Sequence, residues 1–157
     1  MSEPSAGSVE IVSVDDPGNL AEALAIRTVV FVDGQGVPPA IERDGLDDVA
    51  AHLLARVAGR PVGTLRWRLV EPRLAKIERV AVLAPWRGAG IGRALLDRAL
   101  QELIARGVVA AKLHAQADAT RFYEPFGFRP SGQPFLEAGI RHQAMVVTLA
   151  AHGHRRT

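Results

Sequence analysis

The clearest periodicity in the chain runs from Ile91 to Arg106, where Ile91, Leu95, Ala99 and Leu103 recur at helical spacing with Leu96 and Leu100 on their flank. Arg93, Asp97, Arg98, Gln101 and Glu102 fall on the opposite face, and Gly107 suits the residue after a helix end. A second helix is predicted over Leu20–Val32 from Leu20, Ala23, Leu24, Ile26, Val30 and Phe31. Asp15 or Asp16 can cap it, Pro17 falls in its first turn, and Gly34, Gly36, Pro38 and Pro39 stop it. Strands are predicted at Val9–Val14, His52–Val57, Pro61–Val70, Ala75–Leu83, Val109–Ala115 and Arg141–Leu149. Ala58-Gly59-Arg60 reads as a hairpin turn, and Asp118–Tyr123 as a short helix. The polar, acidic stretch from Asp33 to Asp48 reads as a loop with room for a short helix. The order is thus β, α, a three-strand meander, α, β, α, β, which predicts a single α/β domain with a mixed sheet.

Composition narrows the function. At 157 residues, 48% hydrophobic and 23% charged, the chain can bury a core without staples. Cysteine is absent, which excludes disulfides, Cys-ligated zinc and an acyl-cysteine intermediate, and fits a reducing compartment. The net charge is only +2, the arginines are scattered, and aromatics make up 5%, so no nucleic-acid partner is expected. Met1–Glu10 carries no basic residue, and no apolar stretch approaches membrane-spanning length. The expectation is a cytoplasmic protein with no membrane partner, with residues 1–7 and 151–157 as flexible tails.

The most informative segment is Val80-Ala81-Val82-Leu83-Ala84-Pro85-Trp86-Arg87-Gly88-Ala89-Gly90-Ile91-Gly92, a strand, a glycine-rich turn and a helix start. Such a turn brings backbone close to a ligand, and the helix start offers unpaired N–H groups to a phosphate. The Lys-Ser/Thr pair of a P-loop is missing. A dinucleotide fingerprint fails too, because Arg93 stands where its last glycine belongs and a meander precedes the turn. What fits is Arg-x-x-Gly-x-Gly at Arg87, Gly90 and Gly92, which resembles the pyrophosphate motif of the GNAT superfamily of acetyl-CoA-dependent N-acetyltransferases. A later stretch, Leu113-His114-Ala115-Gln116 followed by Ala119, Phe122, Tyr123, Gly127 and Phe128, resembles that family's second motif, in the family's order. Val30 to Pro38 with Glu42, Asp44-Gly45 and His52, and Phe135 to His142 with Met145, resemble the ElaA-like branch.

The resemblance implies a central, mostly antiparallel mixed sheet of six to seven strands flanked by about four helices. It also implies direct acetyl transfer from acetyl-CoA, as cosubstrate, to an amine of a small molecule or peptide within a ternary complex. The cradle falls on Arg87, Gly88, Ala89, Gly90, Ile91, Gly92 and Arg93. The backbones of Val80, Ala81 and Val82 would line the pantetheine arm, and Gln116 would contact coenzyme A. Tyr123 is the candidate general acid for the leaving thiolate, with Pro125 ending or bending its helix. Glu78 and His114 are the candidate bases: strand alternation places Glu78 with Val80 and Val82, and His114 has the intrinsic pKa for the task. An ion pair for Glu78 and a structural place for His114 are the competing assignments. Phe31, Gln35, Glu42 and His142 are candidate acceptor residues; Glu42, Asp44, Asp47 and Asp48 of the acidic loop could attract a cationic amine, and a solvated acidic loop is the competing assignment. His52 and His142 lack further ligands at recognisable spacing, so no metal is expected. A rival reading of the same motifs is a coenzyme A-binding sensor without chemistry, and a homodimer is compatible with the fold.

Overall fold

The strands are β1 (Val9–Ser13), β2 (Ala51–Val57), β3 (Arg60–Glu71), β4 (Leu74–Val82), β5 (Ala110–Gln116), β6 (Arg129–Pro130), β7 (Phe135–Glu137) and β8 (Ile140–Thr148). The helices are α1 (Pro17–Arg27), α2 (Pro39–Glu42), α3 (Ile91–Ala105) and α4 (Thr120–Tyr123). The structure, a computed structural model, describes residues 9–149; the tails expected at 1–7 and 151–157 lie outside the described residues. The eight strands form one sheet in the order β1-β2-β3-β4-β5-β8-β6, with β7 beside β8. It is a mixed, mostly antiparallel sheet, as expected, with two short strands, β6 and β7, beyond those the sequence predicts. The chain divides into two compact units, one of Met1–Trp67 with Arg79–Ala99 and one of Arg68–Glu78 with Leu100–Thr157.

In the first unit, β2 and β3 pair antiparallel, with Leu53 opposite Leu65 and Val57 opposite Arg60. Their turn needs two left-handed residues, supplied by Ala58 at φ +50° and Gly59 at φ +80°. Val62 to Trp67 are buried without interruption, so both faces of β3 are covered there. A Cβ on Gly63 would lie 3.0 Å from Ile91 Cγ2 and 3.2 Å from both the Ala81 carbonyl oxygen and Leu95 Cδ1. The bare glycine therefore lets the first turns of α3 settle on the sheet. Asp16 caps α1 by accepting from the Asn19 N–H at 2.7 Å. The helix predicted to run to Val32 loosens into a π-helical turn over Thr28–Asp33, and the Gly34 N–H donates to the Val29 carbonyl five residues back. Ala23, Ile26, Val30, Leu54 and Ala81 form a core that Phe31 and Leu83 pack against.

In the second unit, β4 and β5 run parallel from Leu74 opposite Ala110 to Ile77 opposite Leu113. β5 and β8 are antiparallel from Ala110 opposite Thr148 to Gln116 opposite His142. β7 and β8 form a hairpin whose turn repeats the Ala-Gly device, with Ala138 at φ +53° and Gly139 at φ +75°. As Pro125 requires, α4 ends at Tyr123 and the chain continues as a 3-10 turn over Glu124–Phe126. Gly127, at φ +97°, then closes that turn.

Candidate active site

The glycine-rich turn has the form that close approach of an anion requires. Gly88 and Gly90 sit at φ +81° and +84°, where any side chain is strained. The space beside Gly88 is open. The Ala94 N–H donates to the Gly90 carbonyl at 3.0 Å, which makes Gly90 the cap of α3. The N–H groups of Ile91, Gly92 and Arg93 precede the first intrahelical donor, so the helix leaves them without a partner. A fifteen-residue helix adds its dipole at this end. The residues present thus fit a phosphate or pyrophosphate. Arg87 braces the turn: its Nε–H donates to the Val82 carbonyl at 2.9 Å, closing the loop between strand and helix. That carbonyl, expected to face the pantetheine arm, is thereby already engaged. Arg93 is exposed on the helix surface.

The acidic loop is a different kind of place from the one the sequence suggests. Glu42 is 1% exposed, and its carboxylate accepts from Arg27 Nε at 2.8 Å, Arg79 Nε at 3.0 Å and Arg43 Nε at 3.0 Å. Asp44 accepts from Arg66 at 2.6 and 3.0 Å and from Arg79 at 3.3 Å. Asp47 accepts from Arg27 at 2.7 Å and Arg66 at 2.8 Å. Burial pushes the carboxyls of Asp44 and Asp47 up, but the Arg66 hydrogen bond on Asp44 and those of Arg27 and Arg66 on Asp47 more than offset it, holding both below the usual range. These acids are saturated by guanidinium groups from within the fold, which corrects the expectation that they offer charge to a cationic amine. Glu42 is an anchor of this network, whereas Gln35 is exposed and Phe31 packs on the core. His52, also buried, has Nε2 2.9 Å from the Asp47 carbonyl.

Arg79 pairs with this network from β4 in a left-handed conformation at φ +57°. For a residue with a Cβ this costs about 1–2 kcal/mol, set against the ion pairs its guanidinium makes. The strict alternation used to group Glu78 with Val80 and Val82 is interrupted at this residue. Glu78 accepts from Arg68 through both oxygens, at 2.9 and 3.1 Å, and Lys76 Nζ lies 3.3 Å away. It is the ion-paired strand carboxylate that competed with the base assignment.

In the second unit, His114 Nδ1 lies 3.0 Å from Glu137 Oε1, and its ring meets Phe135 edge-on at 4.9 Å. Phe135 also stacks on His142 at 6.0 Å, and the Nδ1–H of His142 donates to the Ile140 carbonyl at 2.7 Å. Gln116 ends β5 opposite His142. Tyr123 is buried edge-on between Phe122 and Phe128. Burial pushes its hydroxyl up to about 12, so it stays protonated at neutral pH. Among the described residues, no group of three or more His, Asp or Glu side chains is arranged to hold a metal ion, and no helix is long and apolar enough to cross a membrane.

Residues 30–149 match the family model described as the acetyltransferase (GNAT) domain. The chain belongs to the GNAT acetyltransferase family. It is 37% identical over 129 residues to the uncharacterized N-acetyltransferase YjcF of Bacillus subtilis, covering 81% of this chain and 91% of that one. Among solved structures, an acyl-CoA N-acyltransferase from Pseudomonas aeruginosa superposes with a TM-score of 0.80 at 32% identity, over 89% of this chain and 99% of that one. Escherichia coli ElaA superposes at 0.78 with 26% identity, over 88% and 99%.

For this GNAT member, sequence reasoning overlooked Arg27, Arg66 and Arg79. Only one signal pointed to them: Arg66 interrupts a strand whose neighbours on both sides are apolar, 18 residues after the end of an acidic loop that needs cations. Glu137 was noticed only as part of the branch signature, and its bond to His114 depends on a hairpin that the pattern did not reveal.

Proposed function

We propose that this protein transfers acetyl from acetyl-CoA directly to a primary amine of a small molecule or peptide. The observation that carries the reading is the glycine cradle, with Gly88 and Gly90 in left-handed geometry before three helix N–H groups that lack intrahelical partners. Acetyl-CoA, when bound, supplies an acyl group already activated as a thioester. The amides from Gly88 to Arg93 would hold its pyrophosphate, and Gln116 would contact it further along. An N–H of the Val80–Val82 strand would face the acyl oxygen, a donor placed where negative charge develops.

Tyr123 would serve the leaving sulfur. A hydroxyl raised to about 12 is a persistent donor, but full transfer of its proton to a thiolate of ordinary pKa near 8.5 is uphill by about 5 kcal/mol. Its role is therefore hydrogen-bond stabilisation of the departing sulfur, with the proton following as the product relaxes. Gln35 and the loop held by Glu42 would border the acceptor, and Phe31 would support that border from the core. The amine's identity follows from the acceptor side and is left to a screen.

Calorimetric titration with acetyl-CoA, using NAD and ATP as controls, tests the cradle. Micromolar binding of acetyl-CoA alone is expected, and Gly90→Val should weaken it with the fold intact. Thiol release over an amine panel then tests the chemistry. Tyr123→Phe should lower turnover at unchanged acetyl-CoA affinity. Affinity without thiol release across a broad panel would favour a coenzyme A-binding module instead.

A further inference from the structure

One face of the second unit's sheet is chemically unlike the rest. Lys76 pairs with Lys112 in the parallel β4–β5 ladder, so both point to the same side. Two residues on, Glu78 and His114 occupy that same side, and Gln116 lies opposite His142 there. Phe135 pairs with His142, which brings Phe135 and, by alternation, Glu137 onto this side as well. Most of the branch signature from Phe135 to His142 is thus explained: it builds a hairpin whose phenyl ring separates two imidazoles and whose carboxylate reaches the nearer one.

An ionised carboxylate can only accept, so the 3.0 Å contact with Glu137 places the neutral ring's proton on His114 Nδ1. Nε2 is then a bare lone pair, and among the described residues it has no hydrogen-bond partner. His114 remains about a quarter exposed, whereas His142 is 7% exposed. Glu78, the competing base, is held by Arg68 and Lys76. The geometry points to His114 as the general base of the transfer reaction and to Glu137 as its positioning residue. The assignment rests on the acetyltransferase reading above.

His114 Nε2 takes one proton from the acceptor ammonium. The freed amine lone pair forms the C–N bond at the acyl carbon while the C–S bond breaks and its electron pair leaves on sulfur. The second amine proton ends on that sulfur, and His114 returns its proton to solvent, so charge and atoms balance. The groups facing His114 are Glu78 and Lys76 from β4, Lys112 from its own strand, Glu137 from β7 and His142 from β8; Asp118 lies in the turn that follows β5.

The test compares the full-length protein with His114→Gln, Glu137→Ala and the double variant, using thiol release with the best amine of the panel. His114→Gln should cost about 100-fold in kcat and abolish the rise of the rate on the acid side of the pH profile. Glu137→Ala should cost about tenfold, the worth of one hydrogen bond to a charged group. The double variant should match His114→Gln, and acetyl-CoA affinity should be unchanged throughout. Imidazole 15N shifts should find Nδ1–H in the wild type and a move toward Nε2–H in Glu137→Ala. An acid limb that survives in His114→Gln, multiplicative losses in the double variant, or a wild-type Nε2–H tautomer overturns the dyad alone. A wild type that releases thiol with no amine overturns the acetyltransferase reading together with it.

Discussion

The loop network around Glu42 and the sheet face around His114 contain the same chemistry, carboxylates beside nitrogen bases, under opposite conditions. In the first, Arg27 and Arg66 are 1% and 0% exposed, and every carboxylate of the trio Glu42, Asp44 and Asp47 meets at least two guanidinium groups. Charges taken out of water to that degree must be fully paired, and pairing leaves nothing over for a ligand. In the second, one carboxylate orients one imidazole and solvent reaches both. The lesson is that acidity in the sequence does not mark an acceptor site. Saturated groups build the loop, whereas the His114–Glu137 pair is satisfied on one ring nitrogen and exposed to solvent.

The largest effect expected from this contrast is on stability. Glu42→Ala leaves Arg27 buried beside a single remaining carboxylate, Asp47, and should cost about 3–5 kcal/mol. Glu137→Ala, at an exposed pair, should cost no more than about 1 kcal/mol. Urea unfolding measures both. A loss below 1 kcal/mol at Glu42 would mean that water enters the network and that the two regions are alike.

Acid sharpens the same contrast. Asp44 and Asp47 are held below their unfolded values, so the unfolded chain takes up protons first as pH falls. Their contribution is complete above about pH 4 and declines as pH drops further toward the folded values. The urea midpoint should therefore be nearly flat from pH 7 to 5 and fall steeply below about 4. Asp44→Asn should start lower and lose less over that range. A midpoint that holds at pH 3 in the wild type would show that the guanidinium bonds do not favour the ionised form.

How much of this was legible follows from the range of the interactions. The left-handed glycine turn was legible because its geometry is local: Gly88, Gly90 and the start of α3 are neighbours in sequence, and backbone preference announces them. The Ala58-Gly59 hairpin was legible because two long apolar stretches flank it. Its twin at Ala138-Gly139 was not, because β7 is three residues long and carries too little pattern. The arginine network was hidden for a related reason. Arg27 and Glu42 are fifteen residues apart, and Arg79 and Glu42 thirty-seven, so only the fold brings them together. The π-helical turn at Thr28–Asp33 keeps helical apolar spacing closely enough that periodicity cannot distinguish it.

The smallest expected effect concerns the guanidinium that opens the glycine turn, Arg87, which is exposed where Arg27 and Arg66 are buried. Arg87 opens the pyrophosphate motif, yet its Nε–H is spent on the Val82 carbonyl. If bracing is its task, the loss is that of one ordinary hydrogen bond, about 0.5–1.5 kcal/mol, or roughly a 2- to 12-fold rise in acetyl-CoA Kd. Arg87→Lys separates bracing from charge, since an ammonium keeps the charge but not the fork that reaches a carbonyl while leaving donors free. Bracing gives equal losses in Arg87→Ala and Arg87→Lys, with little dependence on salt. Direct phosphate contact leaves Arg87→Lys near wild-type affinity at low ionic strength, with the gap to Arg87→Ala closing as salt screens the charge. The second outcome would make Arg87 a ligand residue.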